Sequence, residues 1–181
     1  MRIANRQLLS CFLICLLSLA VHGQRRRDPL NPLEIDQIRD TALEPEERLK
    51  LFVKFARARL DALEQIRSDP KAEDRVDQTR ARLQDFLDIY DELNNNVDNF
   101  ADRGSDLRKP LKFVIEADTE FQSRLRALKD SAGITAADRE RFSFLLDSAI
   151  QTVDDSAKDH RQLLTEVEQS FKDKPKRKAQ N

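Results

Sequence analysis

The stretch Val76–Phe100, VDQTRARLQDFLDIYDELNNNVDNF, decides how this chain folds. At 100° per residue, Val76, Leu83, Phe86, Leu87, Tyr90, Leu93, Val97 and Phe100 share one face. A half-buried strand would instead alternate apolar and polar residues, so the spacing argues for an amphipathic helix. Asn94-Asn95-Asn96 has poor helix propensity, and a kink or an early end is expected there.

The flanking segments repeat the pattern. Leu49, Phe52, Val53, Ala56, Leu60, Leu63 and Ile66 line one face over 45–68. Leu107, Leu111, Val114, Ile115, Phe121, Leu125 and Leu128 do so over 106–131. Over 135–172 the face carries Phe142, Leu145, Leu146, Ala149, Val153, Ala157, Leu164, Val167 and Phe171. Boundaries are marked by helix-stop and helix-start residues. Asn31-Pro32-Leu33-Glu34 reads as a cap, a first-turn proline and a capping-box glutamate, opening a short helix over 33–42. Pro45 with Glu46 and Glu47 opens the second helix, and Asp69-Pro70 is expected to open the third at 70. Gly104 separates third from fourth, and Pro110 moves the expected start of the fourth toward Lys109. Gly133 precedes Thr135 and Asp138, an acidic variant of the capping box.

These elements predict an all-α chain: an antiparallel bundle of four long helices plus a short N-terminal helix, after a signal peptide. Helices of roughly 27 residues make a rod about 40 Å long. Composition agrees, with 36% charged residues, 3 glycines and no tryptophan, a profile that favours long helices over sheets. The recurrence of Arg57-Ala58-Arg59-Leu60 as Arg80-Ala81-Arg82-Leu83 is what chance supplies in such a composition.

Residues 1–23 read as a signal peptide: Arg2 and Arg6, then the apolar run Leu8–Val21, then Val21-His22-Gly23 before a cut at Gln24. The run is shorter than the roughly 20 residues a spanning helix needs, so an uncleaved anchor is the lesser reading. Cys11 and Cys15 both lie inside it, which leaves the mature chain without thiolate chemistry or disulfides. Residues 24–32 form a basic linker, 33–172 the helical bundle and 173–181 a basic disordered tail, giving an acidic body between basic ends.

Three polar residues sit on apolar faces. Counting levels from the turn near 104 puts Asp118 opposite Tyr90, so the Tyr90 hydroxyl is expected to donate to the Asp118 carboxylate. Counting from the last turn puts His160 near residue 106, where Asp102, Asp106 or a loop carbonyl would hold it. A structural role is the plain expectation for all three. A pH-sensing role is the sharper one for His160. Leu51, Phe113 and Phe144 lie off the stripes and form a candidate contact surface unless the short helix, through Leu33, Ile35 and Ile38, covers them.

No paired Glu-x-x-His, EF-hand loop, Cys-x-x-Cys-His or Gly-rich phosphate loop occurs, and nothing singles out a carboxylate pair. No catalytic residue, metal ligand or cofactor is therefore expected. The expectation is an exported, non-enzymatic protein acting through an unidentified protein partner in the periplasm or extracellular space. The alternative is peripheral binding to an anionic membrane or envelope through Lys172, Lys174, Lys176, Arg177 and Lys178. Nucleic acid is a poor fit for that tail, since no aromatic residue interleaves it.

Overall fold

The computed structural model describes residues 28–69, 71–131 and 135–173, with backbone only for 136–139. Among these the chain is all-helical: α1 (Pro32–Asp40), α2 (Pro45–Ser68), α3 (Arg75–Asp102), α4 (Arg108–Asp130) and α5 (Ala136–Asp173), with no strand. Residues 1–23, expected to be a signal peptide, and the basic residues Lys174, Lys176, Arg177 and Lys178 lie outside the described residues.

The capping box at α1 is formed. Asn31 Oδ1 accepts from the Glu34 N–H at 3.0 Å, and Glu34 Oε2 accepts from the Asn31 N–H at 2.9 Å. α3 starts at Arg75 rather than at 70. Asp69 caps the end of α2 instead, its carboxylate accepting from the Lys71 N–H at 2.8 Å in the intervening turn. α4 starts at Arg108, which puts Pro110 in the first turn, where its missing N–H costs nothing. Gly104 takes a left-handed conformation (φ 69°) and closes α3 with its N–H on the Ala101 carbonyl at 2.8 Å.

α3 also runs unbroken through Asn94-Asn95-Asn96, against the expected kink or early end. Neighbouring elements occupy these amides. Asn94 Nδ2 donates to Ser156 Oγ at 2.9 Å, and Asn96 Oδ1 accepts from Arg48 Nε at 2.5 Å. Tertiary hydrogen bonds thus outweigh a weak local propensity.

α2 packs against α3 and α4, and α5 packs against the same two helices. Successive long helices run antiparallel: Arg126 meets Asp154, and Lys112 meets Glu168. The other neighbours run parallel, with Arg57 beside Glu120 and Arg67 beside Ser131, and Asp77 beside Arg141 and Asn94 beside Ser156. The backbones of α3 and α4 do not approach one another, so they stand diagonally and their side chains meet across the core. There Phe121 packs edge-on to Phe86 and Tyr90, with ring centroids 5.3 and 6.1 Å apart. Burying each such large apolar side chain contributes about 1.5–3 kcal/mol.

α5 is displaced along α4. Residue 154 faces 126 and 168 faces 112, about a dozen residues from where a tight hairpin would put them. α4 ends at Ser131, whose backbone is extended, and with 154 beside 126 the first turns of α5 lie beyond that end.

α1 is pinned to α2 by a bidentate pair, with Arg59 Nη1 and Nη2 donating to the Glu34 carboxylate at 2.9 and 2.5 Å. Burial alone would raise the Glu34 carboxyl, but the Arg59 bonds and the Asn31 N–H outweigh it and hold the group below its ordinary range. Arg48 Nη1 also donates to the Ile38 carbonyl. Leu30 and Ile38 pack onto the core, which also takes in Phe55 and Ile89, two residues off the stripes.

Candidate functional site

Asp118, on α4, is 0% exposed. Its Oδ1 accepts from the Tyr90 hydroxyl of α3 at 2.8 Å, and its Oδ2 stands 2.9 Å from His160 Nδ1 of α5. A carboxylate only accepts, so Nδ1 carries the proton and donates. Tyr90 is 0% exposed and His160 4%. One carboxylate therefore joins three helices, and both of its oxygens are satisfied.

Tyr90 thus stands where level counting from the Gly104 turn puts it, opposite Asp118. His160 does not stand beside residue 106. The displacement of α5 carries it about twelve residues along α4, to Asp118, and neither Asp102 nor Asp106 holds it.

Burial pushes the Tyr90 phenol well above its ordinary range, and the adjacent Asp118 carboxylate pushes it further; a Ser156 hydrogen bond and the Arg161 charge oppose both. The network continues outward from Tyr90 through Ser156 to Asn94, whose Nδ2 donates to Ser156 Oγ. Sequence reasoning missed Ser156 and Asn94. The available signal is that Ser156 lies one helical turn before His160 and Asn94 one turn after Tyr90, on the same faces.

His160 lines a groove of about 430 Å³ between α3 and α5, with Asn94, Val97, Asp98, Ser156, Asp159, Gln162, Leu163 and Glu166. No described residue bonds Nε2 of His160. His160 is thus the buried side chain that links this groove to the Asp118 network. No group of three or more His, Cys, Asp or Glu suited to a metal ion occurs among the described residues.

The expected contact residues separate. Leu51 and Phe113 are half-buried against the core, whereas Phe144 is 87% exposed. α1 packs only on α2; it buries Ile38 and leaves Leu33 exposed, so it is no cover for Phe144. Lys172 lies exposed in the last turn of α5, within the helix rather than at the head of a tail. It borders a surface hollow with Arg108, Lys109 and Lys112, beside Asp106, Glu168 and Phe171, and the Arg108 guanidinium stacks 3.8 Å from the Phe171 ring centroid.

No protein-family model, no curated protein and no solved structure matches the chain. No helix among the described residues is long and apolar enough to cross a membrane.

Proposed function

We propose that the chain is an exported, non-enzymatic four-helix bundle, with α1 as a cover on α2, that acts by contacting a protein partner in the periplasm or extracellular space. Phe144 carries this reading. It is a phenylalanine 87% exposed, on a helix whose opposite face is packed into the core. Covering it would remove a large apolar side chain from water, a gain of about 1.5–3 kcal/mol.

The test is crosslinking in the exporting host. A partner captured by the wild-type chain is lost by Phe144→Asp and kept by Leu43→Asp, another exposed apolar position. Capture by Phe144→Asp at the wild-type level removes the basis for the reading. Export is tested separately: the secreted chain starts at Gln24, and secreted material starting at Met1 refutes cleavage.

A second reading, peripheral binding to an anionic membrane, is favoured by the grouping of Arg108, Lys109, Lys112 and Lys172 where α5 ends. It predicts salt-sensitive co-sedimentation with anionic vesicles that weakens when residues 174–181 are deleted. Binding indifferent to both salt and the tail rejects it.

A further inference from the structure

We infer that the groove between α2 and α4, where both helices end, binds a small amphipathic anion: a monocarboxylate on an alkyl chain. The inference is independent of Phe144, which stands on α5. The groove holds about 320 Å³, at the small end of the ~300–1,000 Å³ range of ligand sites. Leu60 and Leu63 wall it from α2, and Leu125 and Leu128 from α4. Arg67, in the last turn of α2, and Ser131, at the end of α4, complete it.

Arg67 supplies the charge. The guanidiniums of Arg57 and Arg124, which also bridge these two helices, are paired with Glu120, and Arg124 with Asp61 and Glu64 besides. Arg67 forms no ion pair among the described residues; its Nη2 donates to Ser131 Oγ at 2.9 Å. That hydroxyl itself donates to the Leu128 carbonyl at 2.9 Å, so it offers Arg67 a lone pair and no charge. Burial pushes the half-buried Arg67 guanidinium below its ordinary range, and the charge of Arg75 pushes it further, with no carboxylate acting against either. Arg75 is not ion-paired among the described residues either: its Nη2 donates to the Asp69 carbonyl, and its Nε is buried without a partner. In a chain with 33 acidic residues, two neighbouring cations at this end of the bundle have no carboxylate between them.

A carboxylate fits the fork of a guanidinium through two parallel bonds, and its charge offsets both the burial and the repulsion. Two helices ending side by side carry partial negative charge that opposes an anion. Carbonyls at both ends are already bonded, however: Leu128 accepts from the Ser131 N–H and hydroxyl, and Gln65 from the Asp69 N–H and the Ser68 hydroxyl. Glu64 lines the groove too, held by Arg124 Nε at 2.8 Å, and its charge disfavours a doubly charged head such as phosphate. A cationic head would meet Arg67 and Arg124. The four leucines take the alkyl stem, each buried CH₂ strengthening binding about fourfold.

The test is titration of the full chain with monomeric octanoate. It is followed by the NMR signal of the Arg67 Nε–H, assigned by its loss in Arg67→Gln, and by the Leu63 and Leu128 methyl signals. Octanoate is expected to shift all three saturably. Acetate has the charge without the stem and is expected to bind at least about tenfold more weakly. Octylammonium, with the stem and the opposite charge, is expected not to bind. Arg67→Gln is expected to weaken octanoate about tenfold, read from the methyl signals. Ala127 is exposed on the groove's edge, one turn before the Ser131 that Arg67 already reaches. Ala127→Glu supplies a built-in carboxylate and is expected to abolish octanoate binding, whereas the uncharged Ala127→Gln keeps it. Absence of an octanoate shift, an equal response to acetate or octylammonium, unchanged affinity in Arg67→Gln, or equal loss in the two Ala127 variants overturns the inference. Tighter binding of a peptide ending in leucine than of octanoate also overturns it, since the occupant is then a protein's C-terminus.

Discussion

Two pairs of parallel neighbours hold this molecule together, and they do so in different dielectric surroundings. Between α2 and α4 the contact is a seam of charge: Arg57 chelates Glu120, and Arg124 reaches Asp61, Glu64 and Glu120 at 2.7–3.2 Å. Its three carboxylates, Asp61, Glu64 and Glu120, each stand more than a third exposed, so water screens the pairs. Between α3 and α5 the contact runs through Asn94 and Ser156 and ends on a carboxylate with no exposure at all. Similar side-chain chemistry is therefore nearly neutral in one place and decisive in the other, because removing a partner in the core strands a group that water cannot reach.

Asp118→Ala presses hardest on that contrast. It orphans the Tyr90 hydroxyl and the His160 N–H together, and urea unfolding is expected to show a loss of about 3–5 kcal/mol. A loss no larger than that of a surface variant would mean the buried carboxylate does not hold the three helices together.

Tyr90→Phe removes one donor and leaves Asp118 Oδ1 unpaired, a loss of about 1–3 kcal/mol in the same experiment. It also carries a pH signature. The folded phenol titrates above its ordinary value of 10.0, so its stabilising contribution is complete below that pH. Above it the unfolded chain releases the proton first, and stability falls by about 1.4 kcal/mol per pH unit. The chain has 1 tyrosine, so phenolate absorbance reads this group alone. Ionisation should accompany unfolding, and the alkaline slope should shrink by that amount in Tyr90→Phe. Free titration near pH 10 in the folded chain would contradict the burial.

Glu34→Gln breaks the bidentate pair with Arg59 and is expected to cost about 1–2 kcal/mol. The Glu34 carboxyl is held below its ordinary range, so its contribution is present above that range and lost as pH falls through the folded value. Faster amide exchange in α1 at acid pH, absent from α3, is the readout. Arg124→Gln is expected to have the smallest effect, below about 1 kcal/mol and smaller still at high salt. A cost near that of Tyr90→Phe would erase the difference between seam and core.

Particular residues show how far the sequence could be read. The Tyr90–Asp118 pair is legible because both interrupt apolar stripes and the Gly104 turn is short, so levels can be counted across it. His160 is legible as an inward-facing group but not by its partner, because the displacement of α5 along α4 is set by packing that no local signal measures. The junction of α2 and α3 is hidden for a similar reason, since Asp69 serves the end of one helix rather than the start of the next. The burial of Phe55 and Ile89 depends on a second packed side, which a single-stripe projection leaves out.

Periodicity and capping act within a few residues, so they are enough to fix the helices, their inward faces and the polar groups on those faces. Tertiary structure alone decided that α3 and α4 stand diagonally, that α5 slides along α4, and that His160 meets Asp118 and not the loop. Those outcomes depend on side-chain packing between elements distant in the chain, where a shift of a few helical turns leaves every local preference unchanged but brings different atoms into contact.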